Sequence, residues 1–174
     1  MHPDLLASID RFKQEMESVD EVAHVLLKGH LLVEEALSAV IDQYVFHREA
    51  LEEARLTFVQ KVHVARALCL RKQTLGEWEL ILAINALRND MAHRLNSPLR
   101  HKKLARVKEL YVREAANFAG LEEIKSGPES VLVLYACGHV AGFLATFLAD
   151  SKIFRSLVHA MDRTMNPGEI PFEL

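Results

Sequence analysis

Apolar residues recur every three or four positions along most of this 174-residue chain, and this period constrains its fold more than any other feature. One face of an α-helix repeats with that spacing, whereas the alternation typical of β-strands is scarce. We therefore predict an all-α fold, an antiparallel bundle of about six helices. The expected helices span about residues 4–17, 19–45, 48–69, 75–95, 99–118 and 129–163.

The composition is that of an ordinary globular domain, with 50% hydrophobic and 26% charged residues. Residues 1–165 are expected to form a single helical domain, and residues 166–174 a flexible C-terminal tail. Cys69 and Cys137 lie in apolar helical surroundings, without a paired spacing or a secretory signal. They are expected to be reduced core thiols, which predicts a cytoplasmic protein.

The last predicted helix is apolar enough to be compared with a membrane span. Between Val131 and Ala149 only His139 and Thr146 are clearly polar, and this length suits a bilayer. A histidine at the centre of a bilayer is costly, however, and the helix continues into an amphipathic segment. We expect a central core helix and no membrane contact.

Polar side chains interrupt the apolar pattern in the fourth predicted helix, which we call the motif helix. At 100° per residue, one stripe of this helix is apolar and suits a core. The opposite arc presents amide, guanidinium and imidazole groups, where a solvated face would more often carry Glu and Lys. The polar residues of this arc are Asn85, Arg88, Asn89 and His93.

An imidazole beside a guanidinium can cleave RNA without a protein nucleophile or a metal. Imidazole gives and takes protons near neutral pH, arginine binds phosphate oxygens, and the attacking group is the RNA's own 2′-hydroxyl. Asn89 precedes His93 by four residues, so it can orient the ring. The alternative is a structural role, in which Arg88 and His93 pair with Glu34 or Glu35 inside the bundle.

Arg88 and His93 lie about 140° apart around the helix axis, so one helix converges them poorly on one phosphate. Two copies of this face across a two-fold axis would form a composite cleft with two arginines and two histidines. We therefore expect a homodimer through the motif helix.

A basic block follows the motif helix directly. From Arg94 to Arg113 there are seven lysines and arginines against one acid, although the net charge of the whole chain is −3. The block indicates an anionic ligand such as RNA, and a solvated helix face explains it equally well. The candidate RNA-binding residues are Arg94, Arg100, Lys102, Lys103 and Arg106.

No metal or cofactor is expected. His24 and His30 lie six residues apart on the second predicted helix and His63 lies on the third, so no two of these histidines are one helical turn apart. Sequence signatures of P-loop, serine-hydrolase and zinc-protease sites are also absent.

The motif residues suggest a family. Arg88, followed directly by Asn89, and His93, preceded by Ala92, form an Arg-x4-His pattern late in a helix of an all-α chain. This pattern resembles the HEPN superfamily (higher eukaryotes and prokaryotes nucleotide-binding), closely over the motif helix and loosely over residues 18–120. The resemblance implies a bundle that dimerises through its motif helices. Many such domains are metal-independent endoribonucleases of toxin–antitoxin, abortive-infection and CRISPR systems.

By this resemblance Arg88 and His93 would be the catalytic pair, Asn89 would support them, and an antitoxin or regulatory protein is a candidate partner. One toxin branch has a tyrosine two residues after the histidine, where this chain has Leu95, so regulation by tyrosine modification is not supported. The segment 29–35 also looks like that of mannitol-repressor-like regulators, which have a related helical fold. The first hypothesis is thus a HEPN-type endoribonuclease for single-stranded RNA, and the alternative is a non-catalytic HEPN-fold regulator or interaction subunit.

Overall fold

The described residues of the chain, in a computed structural model, are 10, 12–13, 20–70, 76–93, 97–170 and 172. Over these ranges the chain forms helices and no β-strand, which confirms the all-α prediction. The helices are α1 (Glu21–Asp42), α2 (Arg48–Ala54), α3 (Phe58–Leu68), α4 (Glu77–His93), α5 (Arg100–Glu114), α6 (Leu121–Ser126) and α7 (Glu129–Met165). The predicted helix at 4–17 falls almost wholly outside the described residues.

The third predicted helix is in fact two helices. Arg55 takes a left-handed conformation, with φ of 47°, and this ends α2. Thr57 then begins α3 with a capping box, because its side chain accepts from the Gln60 amide while the Gln60 side chain accepts from the Thr57 amide. The short helix α6 was not predicted either, and it begins after Gly120, whose φ of 97° suits glycine.

Helices α1 and α7 form the most extensive contact of the bundle. Their contacts rise together in sequence, from Glu21 beside Ser130 to Tyr44 beside Ser151, so the two helices run in parallel. The expectation of an antiparallel bundle is therefore wrong for this central pair. The physical reason is the return of residues 115–128 along α5, where Lys108 donates to the Lys125 carbonyl at 2.8 Å.

A close helix contact explains the glycine in the middle of α1. A Cβ atom added to Gly29 would lie 2.6 Å from Sγ of Cys137 on α7, so only glycine allows this approach. Cys137 is buried and Cys69 is partly exposed, and both are free thiols. Burial raises the pKa of the Cys137 thiol to about 12.

Helix α7 serves as the core helix that the sequence predicts, with Val133, Ala136 and Val140 buried on its inner face. Among the described helices it is the one long and apolar enough to cross a membrane, a criterion that core helices of soluble proteins also meet. Beyond its end, the expected tail contacts the bundle at Phe172, whose ring centroid lies 4.7 Å from that of Phe46.

Candidate functional site: an open arc of α4

Helix α4 packs against four other helices, α1, α3, α5 and α7, yet its last two turns keep one side accessible. We call this side the open arc. Its exposed residues are Ala86, Asn89, Ala92 and His93, and half-buried Arg88 lies at its edge. The three residues predicted to be catalytic, Arg88, Asn89 and His93, are thus accessible from one side of the helix.

The hydrogen bonds of these three residues leave most of their polar groups available. Nη1 of Arg88 donates to Oδ1 of Asn89 at 3.2 Å, and the buried Nε of Arg88 has no hydrogen-bond partner. His93 is exposed, and no hydrogen bond or ion pair joins it to another described residue. Among the described residues, therefore, no acid pairs with the guanidinium or with the imidazole of the open arc.

The structural alternative required an acid of α1 beside Arg88. Glu34 instead pairs with Lys61 of α3, with its Oε1 2.9 Å from the lysine Nζ. Glu35 is exposed on α1 and forms no ion pair within the described ranges. Neither acid supplies the partner that a buried Arg88 ion pair would need.

Asn85 was expected on the same arc as Arg88, but it is buried, with only 7% of its surface exposed. Its Oδ1 accepts from Nε2 of His30 on α1 at 3.0 Å, and the His30 ring stacks on Phe58 with centroids 4.2 Å apart. Helix α1 thus covers the arc at the level of Asn85 and leaves it open one turn later. Asn85 holds two helices together and is not available to a ligand.

His30 on α1 is a buried polar residue whose contact with α4 was not predicted from the sequence. Burial lowers its pKa, the Asn85 hydrogen bond acts in the opposite direction, and the nearby Arg88 charge lowers it further. The lowered pKa favours neutral His30, in which Nε2 donates to Asn85, and the buried Nδ1 has no hydrogen-bond partner. The position of His30 on the apolar face of α1 indicates that it is buried, but the sequence pattern does not show which helix it contacts.

Ion pairs take up much of the charge of the basic block. Three of the five predicted RNA-binding residues pair with acids of the bundle. These pairs join Arg100 to Asp20, Lys103 to the buried Asp90, and Arg106 to Glu79 and Glu109. Lys102 is exposed and pairs with no described acid, while Arg94 lies outside the described residues. RNA binding by the block stays a prediction, for which Lys102 keeps a free charge.

No group of three or more His, Cys, Asp or Glu side chains that could hold a metal ion occurs over the described ranges. Comparison with known proteins adds no assignment, since no family model, curated protein or solved structure matches the chain.

Proposed function

We propose that this chain is a metal-independent endoribonuclease of the HEPN type, which cuts single-stranded RNA at a site formed by two copies. One observation carries the proposal. Arg88, Asn89 and His93 lie on the open arc, while Glu34, the acid that could have neutralised Arg88, is paired with Lys61. A permanent cation and an accessible imidazole, brought together from two copies, are the combination that supports phosphodiester cleavage by a 2′-hydroxyl.

In the proposed reaction His93 removes the proton from the 2′-hydroxyl of the RNA. The resulting oxygen attacks the adjacent phosphorus, and the bond from phosphorus to the 5′-oxygen breaks. The leaving oxygen takes a proton from a histidine in its acid form, and the products are a 2′,3′-cyclic phosphate and a 5′-hydroxyl. Arg88 binds the phosphate oxygens as charge develops on them. Asn89, which was predicted to orient the imidazole, instead accepts from Arg88 and orients the guanidinium.

The composite site needs a second α4 close to the open arc. Ala86 and Ala92 are exposed there and carry small side chains, so two such arcs can approach closely. An Ala86→Arg variant should be monomeric and inactive, because a long charged side chain would separate the two helices. Ala67→Arg is the matched control, since Ala67 is an exposed alanine on α3. Light scattering should show a dimer for the control and for the wild type.

The cleavage chemistry is tested with purified protein and a labelled single-stranded RNA in EDTA. We expect cleavage with 2′,3′-cyclic phosphate ends, and no cleavage where the scissile nucleotide lacks its 2′-hydroxyl. His93→Ala should abolish the reaction, whereas His63→Ala, which removes an exposed histidine on α3, should not. A strict requirement for a divalent metal would rule out this mechanism.

The competing function is a non-catalytic regulator that resembles the mannitol-repressor group. It is favoured by the structural use of two other polar residues of α4, since Asn85 bonds to His30 and Asp90 pairs with Lys103. In that case His93→Ala would lower the melting temperature and disrupt the dimer without an effect on RNA. Growth of a bacterium that expresses each form separates the two functions. Wild-type protein with ribonuclease activity should inhibit growth, and a His93→Ala variant that still folds should not.

A further inference from the structure

A second candidate site lies at the opposite end of α4, in a groove between α5 and α7. The groove encloses about 640 Å³, within the roughly 300–1,000 Å³ usual for small-molecule sites. Helix α4 has 17 residues, so Glu77 at its start and His93 at its end are separated by roughly 24 Å along the axis. The groove is therefore distinct from the open arc, and its role does not depend on the proposed ribonuclease.

Aromatic rings form the walls of this groove. Tyr111 and Phe118 come from α5 and the turn after it, and Tyr135 comes from α7. Phe118 and Tyr135 are 48% and 41% exposed, and their ring centroids lie 5.9 Å apart. Small-molecule sites are concave and are lined mainly by hydrophobic and aromatic side chains, as this groove is.

One carboxylate lines the groove, and it pairs with an arginine outside the lining. Among the described residues that line it, Glu114 carries a carboxylate and none is a lysine or arginine. His139 also lines it, and its Nε2 is 3.7 Å from Oε1 of Glu77. The other oxygen of Glu77 is buried without a hydrogen-bond donor, as is the His139 Nε2. Glu114 is thus the one acid among the described residues that line the groove, and Nε of Arg113, which lies outside the lining, donates to its Oε1 at 2.6 Å.

We propose that this groove binds a small aromatic molecule that carries a protonated amine. The ring would lie against Tyr111, Phe118 and Tyr135, and the ammonium group would face the carboxylate of Glu114. Cations are attracted to the faces of tyrosine and phenylalanine rings as well as to carboxylates. A phosphate-bearing ligand does not fit this charge pattern, because no cation lines the groove.

Glycine positions on α7 offer a matched pair of variants. A Cβ atom at Gly138, which lines the groove, would meet no atom within 4 Å, and the same is true at Gly142, which does not line it. Gly138→Leu should therefore fill the groove without disturbing the helix, and Gly142→Leu should leave the groove empty. Both changes replace a helical glycine, so both variants should fold at least as well as the wild type.

The test uses three indole probes that differ in charge: tryptamine, indole and indole-3-acetate. Binding to the full chain is measured by calorimetry and ligand-observed NMR. We expect tryptamine to bind wild type and Gly142→Leu, and to bind about tenfold more tightly than indole-3-acetate. Gly138→Leu should lose this binding, and Glu114→Gln should reduce the preference for tryptamine.

Three results would overturn the proposal. They are the absence of tryptamine binding, equal binding by Gly138→Leu, and tighter binding of the acidic probe. If the groove instead receives a second copy of the chain, Gly138→Leu would change the oligomeric state, and tryptamine would bind less well as the protein concentration rises. Phe118→Ala, which removes an exposed ring, checks independently that the aromatic wall contributes to binding.

Discussion

The hydrogen bond between Asn85 and His30 should contribute measurably to stability, because it joins α1 to α4 where both residues are buried. Asn85→Leu keeps the side chain near its present size but leaves Nε2 of His30 buried without a partner. An unsatisfied buried donor costs about 1–3 kcal/mol. For a chain of this length that cost corresponds to a decrease in melting temperature of roughly 2–12 °C.

Urea unfolding followed by circular dichroism at pH 7.5 measures this cost. His30→Phe with Asn85→Leu removes both polar partners, so the double variant should be more stable than the sum of the single effects predicts. Asn89→Leu is the control for the amide change, because Asn89 is exposed on the same helix, and it should alter stability by less than about 0.5 kcal/mol. Strictly additive effects of the two single variants would refute a structural role for this bond.

The same pair predicts a dependence of stability on pH. Burial lowers the pKa of His30 in the folded chain, so below the ordinary value of about 6.5 the unfolded chain binds a proton that the folded chain does not. Stability contributed by neutral His30 is therefore present above that pH and is lost as the pH falls toward the lowered pKa. The loss is at most about 1.4 kcal/mol per pH unit. His30→Phe should flatten this part of the profile, and an unchanged slope would contradict the assignment.

Two further predictions concern the contact between α1 and α7. Gly29→Ala should destabilise the chain by about 1–3 kcal/mol in urea unfolding, because its Cβ atom would overlap the Cys137 sulfur. Gly142→Ala is the control and should be neutral or stabilising. Equal effects of the two substitutions would refute the packing role of Gly29. In a thiol-labelling assay Cys69 should react before Cys137, whose buried thiol has a pKa of about 12 and should react only on unfolding. Simultaneous labelling of both cysteines in the folded chain would show that the interface opens readily.

Local patterns in the sequence predict the helices but not the relations between them. The period of apolar residues was sufficient for the all-α fold and for a core role of α7. The break at Arg55 was missed, since an arginine inside a continuous helical pattern gives no sign of a left-handed conformation. The parallel direction of α1 and α7 depends on the path of residues 115–128, and no local sequence pattern predicts that path.

At the candidate site, too, the local geometry was predictable from the sequence and the contacts between helices were not. The angular positions of Arg88, Asn89 and His93 follow from helix geometry alone, and in the structure Asn89 and His93 are exposed and Arg88 is half-buried. Asn85 shares their arc, yet it is buried because α1 crosses the helix one turn earlier and supplies His30. Tertiary contacts of this kind decide which polar residues of an arc remain available to a ligand. A helical-wheel projection describes one helix and cannot show them.

The rate of RNA cleavage by His93→Ala, compared with wild type in EDTA, tests the central proposal most directly. General acid–base catalysis by a histidine contributes about 100-fold to 10,000-fold, and His93 is exposed, so its removal should leave the fold intact. We expect a rate at least about 100-fold lower than that of the wild type, at an unchanged melting temperature. Equal rates for the two proteins, or no cleavage by the wild type, would contradict the assignment of the open arc as a ribonuclease site.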